Sequence, residues 1–180
     1  TNVQDVSIFS GALDTNLNGD VNTIGVDAAQ DEYRLLLSAD FGQIPFNPSM
    51  NVHSVDLEMY LEDLTFGAGA TGMTFTVHRV LTSGWSETTA TWNGTGSTTW
   101  AASGMQSGVD YDSTPIDTVY ISNSQAIDSW IQFDLGHRSM YIDAVHNWVI
   151  IGTPTQGWME ASFSDNSDQT LSKRPLMTMN

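Results

Sequence analysis

Cysteine is missing from the 180-residue chain. Its absence excludes disulfides, thiolate metal sites and cysteine nucleophiles. Positive charge is nearly missing as well. Five Lys and Arg, with Lys173 the only lysine, stand against 21 acidic residues, for a net charge of −16. Such a surface repels phosphate backbones and anionic headgroups, so neither nucleic acid nor a membrane is an expected partner. The sequence has no apolar run long enough for a transmembrane helix. No signal peptide is visible, and a chain that opens on Thr1 reads as a processed product or an excised module.

Catalytic signatures are also missing. There is no G-x-S-x-G elbow and no H-E-x-x-H, and His53, His78, His137 and His146 include no i, i+4 pair. Gly67, Gly69 and Gly72 spell G-x-G-x-x-G, but a strand pattern follows instead of a helix, so the segment reads as a turn. Among 21 acids, chance carboxylate pairs are inevitable, and none stands out as a glycosidase pair. The chain reads as non-enzymatic.

What is present points to β-structure. The hydrophobic fraction is 40%, enough for a core, and the length suits one domain over residues 1–180. Asp outnumbers Glu by 16 to 5, a balance that suits turns better than helices. Along "VHSVDLEMYLED", Val55, Leu57, Met59 and Leu61 alternate with Asp56, Glu58, Tyr60 and Glu62. Along "MTFTVHRV", Met73, Phe75 and Val77 alternate with Thr74, Thr76 and His78. Both are strands with one buried face, and the Gly-rich "TFGAGATG" between them predicts a hairpin. "SWIQFDL", "NWVIIG", "WMEASF" and "PLMTM" are further strand candidates, and Asn93 to Ser113 reads as a long loop. Ser139 to Trp148, "SMYIDAVHNW", is the one predicted helix, with Ser139 as its N-cap. The expected fold is an all-β antiparallel sandwich with one short helix.

Two features invite ligands. "DTNLNGDVNTIG" places Asp14, Asn16, Asn18 and Asp20 at calcium-loop spacing, with Gly19 at the turn. The twelfth position, where an EF-hand needs a bidentate Glu, is Gly25, and strands flank the loop. A polar turn is the favoured reading, with a structural Ca2+ completed by Asp165 or Asp168 as the alternative. The second feature is the set of six tryptophans, whose flat rings suit either core packing or sugar stacking. Trp130 and Trp148 lie in apolar runs and are expected in the core, while Trp100 is the least committed.

The stretch "SGWSETTATWN", residues 83–93, resembles the W-S/T-E-x-T-x-T-W-N signature of the DNRLRE domain family. Other segments are similar to that family in order: "DVSIFSG", "RLLLSADFGQIP", "VHSVDLEMYL", "TFTVHRV", "GVDYDSTPIDTV", "WIQFDL" with "AVHNWVIIG", and "QGWMEASFSDNS" with "RPLMTMN". Ala39 departs from the usual Phe. The resemblance implies a jelly-roll sandwich without catalytic activity, of a kind that includes carbohydrate-binding modules attached to polysaccharide lyases. It also implies that Trp85, Trp92, Trp130 and Trp148 serve the fold. A glycan site is then expected on the polar row Asp56, Glu58, Tyr60, Thr74, Thr76 and His78, taken as one face of the predicted hairpin, or on the loop tips.

Two functions follow as expectations. The first is a non-catalytic carbohydrate-binding or adhesion module on an extracellular, cell or virion surface. The second is a structural or display protein, a capsid decoration, fibre component or surface filament, whose partner is a protein surface. Scarce Lys and Arg favour neutral or calcium-bridged glycans over free polyanions.

Overall fold

A computed structural model describes residues 2–19, 21–41, 54–136 and 145–179. The described residues form the strands β1 (Asn2–Phe9), β2 (Val21–Val26), β3 (Glu32–Asp40), β4 (Val55–Phe66), β5 (Gly72–Arg79), β6 (Asp117–Ser122), β7 (Ser129–Asp134), β8 (Val145–Pro154), β9 (Met159–Ser164) and β10 (Leu176–Met179). Every strand pairing is antiparallel. The only described helix is a 3-10 turn at Leu171–Lys173.

The hydrogen-bonded path runs β10-β4-β9-β2-β3-β8-β5-β6, with β1 on β3 and β7 on β4. Its weakest link is the β2–β3 ladder, which has only the pairs Gly25↔Tyr33 and Val26↔Glu32. There the sheet folds over into two layers. The first holds β1, β3, β8, β5 and β6; the second holds β2, β9, β4, β7 and β10. Leu35, Leu37, Met73, Phe75, Val77, Trp148 and Ile150 of the first layer meet Leu57, Met59, Leu61, Ile131, Phe133, Ala161 and Phe163 of the second in one core. Each fully buried large side chain there contributes about 1.5–3 kcal/mol. The layers come close at Gly25 and Gly152, where a Cβ on Gly152 would lie 3.1 Å from the Gly25 Cα. A Cβ on Gly25 would lie 2.2 Å from the Met159 carbonyl oxygen, and its φ of +130 is one that side-chain-bearing residues avoid.

The expected strands all appear, and the alternation matches burial from Val55 to Glu62 in β4 and from Met73 to Val77 in β5. Two expectations fail. The predicted hairpin is absent: β4 pairs with β10, β7 and β9, whereas β5 pairs with β6 and β8. Period-2 alternation specifies which face is buried, not which strand lies alongside, so these two strands face each other across the core. The predicted helix also fails where it is described. Val145 to Trp148 begin β8, a central strand between β3 and β5, and Val149, Ile150 and Ile151 supply its β-branched run. Residues 137–144 lie outside the described part.

Residues 81–116 cross the outer face of the first layer. Trp85, Ala90, Trp92, Trp100, Met105 and Tyr111 cover Val6, Ile8, Leu36 and Val149 in a second apolar cluster. Two charged groups hold this loop. Arg34 forks onto Glu32 (2.7 and 3.0 Å), donates to the carbonyls of Gly104 and Met105, and lies 5.2 Å from the centre of the Trp92 ring. Asp110, buried, accepts from the backbone N–H groups of Ala101 (2.9 Å) and Gln106 (2.7 Å) and from the Thr82 hydroxyl (2.9 Å).

Candidate functional site

The six residues expected to form one glycan face are divided between the two layers. Asp56, Glu58 and Tyr60 lie on the outer face of β4 in the second layer. Thr74, Thr76 and His78 belong to β5 in the first layer. His78 is also withdrawn from solvent beneath the 81–116 loop. Its Nδ1 is 2.8 Å from the Asp112 carbonyl oxygen and its Nε2 is 3.0 Å from the Thr76 hydroxyl. Burial lowers its pKa below the ordinary histidine value.

The second layer builds a different site around Tyr60. Three strands lie side by side, and their outward residues fall in rows: Tyr60 beside Trp130, Glu58 between Gln132 and Leu176, and Asp56 between Asp134 and Thr178. Trp130 is 41% exposed. Its ring stands 5.2 Å from that of Tyr60 in an edge-to-face arrangement. Lys173, delivered by the 3-10 turn, sits 4.8 Å from the Tyr60 ring centre, bonds to Glu62 at 3.2 Å and lies 3.8 Å from Asp128. The Tyr60 hydroxyl donates to Asp128 at 3.3 Å. The bond to Glu62 raises the Lys173 ammonium above its usual pKa, so it stays charged. The result is an aromatic pair with carboxylates, a carboxamide and one ammonium around it. Flat rings offer contact area to the C–H faces of a sugar, and bidentate carboxylates and amides match paired hydroxyls.

The sequence reading placed Trp130 in the core, and that placement is corrected. The signal for the right answer was present: with Ile131 and Phe133 buried, alternation turns Trp130, Gln132 and Asp134 outward. Four of the other five tryptophans are packing residues, and Trp158 is half-buried outside both apolar clusters. Trp148 is in the core, and Trp85, Trp92 and Trp100 are in the loop cluster.

The calcium-spaced loop follows β1. The Asn16 amide nitrogen donates to the carbonyls of Glu87 (2.9 Å) and Ala90 (2.7 Å), and its oxygen accepts the Asn18 N–H (3.2 Å). Asp14 accepts from the Asn93 amide at 2.9 Å. These bonds staple the turn to the tryptophan-bearing loop. Asp20 lies outside the described residues. Among the described residues no group of three or more His, Asp or Glu side chains is placed to hold a metal ion.

Asp165, named as a distant calcium ligand, is engaged elsewhere. It and Asp5 are both fully buried, with Asn22 beside them. The Asn22 amide approaches Asp165 at 3.5 Å, the Asn166 N–H donates to Asp5 at 3.1 Å, and the Ser167 N–H donates to Asp165 at 2.6 Å. Burial, then the neighbouring Asp165 charge, pushes the Asp5 carboxyl up to about 8. Nothing in the sequence signalled this pair.

Comparison with protein-family models and with curated proteins produced no match.

Proposed function

We propose that the chain is a non-catalytic carbohydrate-binding module of the DNRLRE type, a jelly-roll sandwich that grips neutral glycans on the outer face of β4, β7 and β10. The observation that carries this reading is the exposed Trp130 set edge-on to Tyr60 amid Glu58, Gln132, Asp128 and Lys173. An exposed indole set against a second ring offers a flat apolar surface to the C–H face of a sugar, with hydrogen-bonding groups around it. The net charge of −16 favours neutral over anionic sugars. Such a module acts outside the cell, on a cell or virion surface. The bonds made by Asp14 and Asn16 favour a stapled polar turn over a calcium shell in the loop after β1.

A glycan array tests this. Wild-type protein should mark neutral glycans, and Trp130→Ala or Tyr60→Ala should abolish the signal while leaving the melting temperature nearly unchanged, because the aromatic pair lies on a solvent-facing surface. A silent array, or two variants that bind like wild type, would refute the reading. A second reading, a display protein of a capsid or surface filament, rests on the acidity and on exposed Leu171 and Leu176 around the same face. Co-purification with particles together with a silent array would select it.

A further inference from the structure

The outer face of the first layer carries a second concave surface. Where the 81–116 loop ends its cover, the apolar row Val6, Leu36 and Val149 gives way to a polar row, Gln4 beside Ser38 beside Asn147, running across β1, β3 and β8. Asp40 and Val145 form the next row, and Ser83, Gly84 and Trp85 rise as the facing wall. Together they enclose a cleft of about 410 Å³. That volume falls within the ~300–1,000 Å³ of ligand-binding clefts.

The chemistry of the lining is specific. Gln4 and Asn147 each offer two donors and an acceptor, Ser38 and Ser83 offer hydroxyls, and Trp85 supplies an aromatic wall. Among the described residues the Gln4 and Asn147 amides and the Ser38 hydroxyl are not spent on protein partners. The indole N–H of Trp85, shielded from solvent, also finds no acceptor among the described residues, whereas that of Trp100 donates to the Thr91 carbonyl at 3.0 Å. Buried donors are rarely left unmatched in folded proteins. Among the described residues the lining brings no Lys, Arg or His, and the chain's net charge of −16 disfavours anions. Neutral, hydroxyl-rich molecules fit this set of groups.

We propose that the cleft beside Trp85 is a second saccharide site, taking the end or a short stretch of a neutral glycan through Gln4, Ser38, Asn147 and Trp85. The inference rests on the reading of the chain as a glycan-binding module, but it uses the opposite layer from Tyr60 and Trp130. Two sites on opposite broad faces let one domain bridge two glycan chains, which multiplies apparent affinity on a dense glycan surface.

The test is NMR of the indole N–H signals during titration with a panel of neutral saccharides: cello-, manno-, xylo- and maltotetraose and lactose. Additions reach about 10 mM, enough to populate a site with a Kd near 1 mM. Trp85 lies in an apolar cluster, so the variants are Gln4→Ala and Asn147→Ala, on the cleft floor, with Trp130→Ala as the variant of the opposite face. At least one saccharide should shift the Trp85 signal in wild type and in Trp130→Ala. Binding at that signal should weaken roughly tenfold in each floor variant, about 1.4 kcal/mol. Shifts at Trp130 alone, with Trp85 silent, would overturn the cleft and leave the face reading standing. Shifts at Trp85 alone would keep the cleft and overturn the face reading. Silence at both would overturn both.

Discussion

Removing the charge of Asp5 should change how stability depends on pH. Asp5 and Asp165 are fully buried together, and the Asp5 carboxyl is pushed from 3.8 up to about 8. Between those values the folded protein holds a proton that the unfolded chain has lost. The unfolded state therefore binds fewer protons, and stability falls as pH rises through this window. Each pH unit costs about 1.4 kcal/mol, so the interval from about pH 5 to pH 8 amounts to about 4 kcal/mol, close to the whole stability of a marginal domain. Two other effects overlap. His78 and His146 have pKa values lowered by burial, so they add stability as pH rises toward 6.5. The net charge of −16 adds surface repulsion that grows as acids ionise. Comparing wild type with Asp5→Asn cancels both. The assay is urea unfolding followed by tryptophan fluorescence at several pH values, in about 0.5 M salt to screen the surface charges. The variant should gain about 4 kcal/mol relative to wild type between about pH 5 and pH 8. Parallel profiles for the two proteins would refute the raised pKa of Asp5.

Arg34→Met should cost about 2–4 kcal/mol by orphaning Glu32 and two loop carbonyls, and amide exchange should accelerate first in residues 81–116. Exchange that stayed slow there would show that the apolar cluster alone holds the loop. Asn16→Ala should cost about 1–2 kcal/mol through its two carbonyl contacts, while EDTA should leave the melting temperature of wild type unchanged. A fall on chelation would place a cation in the fold. Gly25→Ala should cost more than about 2 kcal/mol, or prevent folding, because its Cβ meets the Met159 carbonyl oxygen at 2.2 Å. Near-normal urea unfolding of that variant would mean that the β2–β9 ladder can shift.

Face assignments were legible in the sequence because burial in a strand follows a period of two. Val55, Leu57, Met59 and Leu61 inward, with Met73, Phe75 and Val77, needed nothing but alternation. The same rule, applied to β7, already turned Trp130 outward; its apolar neighbours Ile131 and Phe133 hid that by making the run look uniformly buried. The β8 strand was missed over Val145 to Trp148 because a short apolar run fits a helix or a strand, and only its place between β3 and β5 settles the matter.

By itself the sequence determined the β-class, the core-facing rows of β4 and β5, the long loop after β5 and the exclusion of cysteine chemistry. These follow from local composition and local periodicity. Only the tertiary structure decided which strands are neighbours, because pairing joins residues far apart in the chain. It thereby separated Tyr60 from His78, set Lys173 and Asp128 beside Tyr60, and brought Asp5 against Asp165 across almost the whole length of the chain.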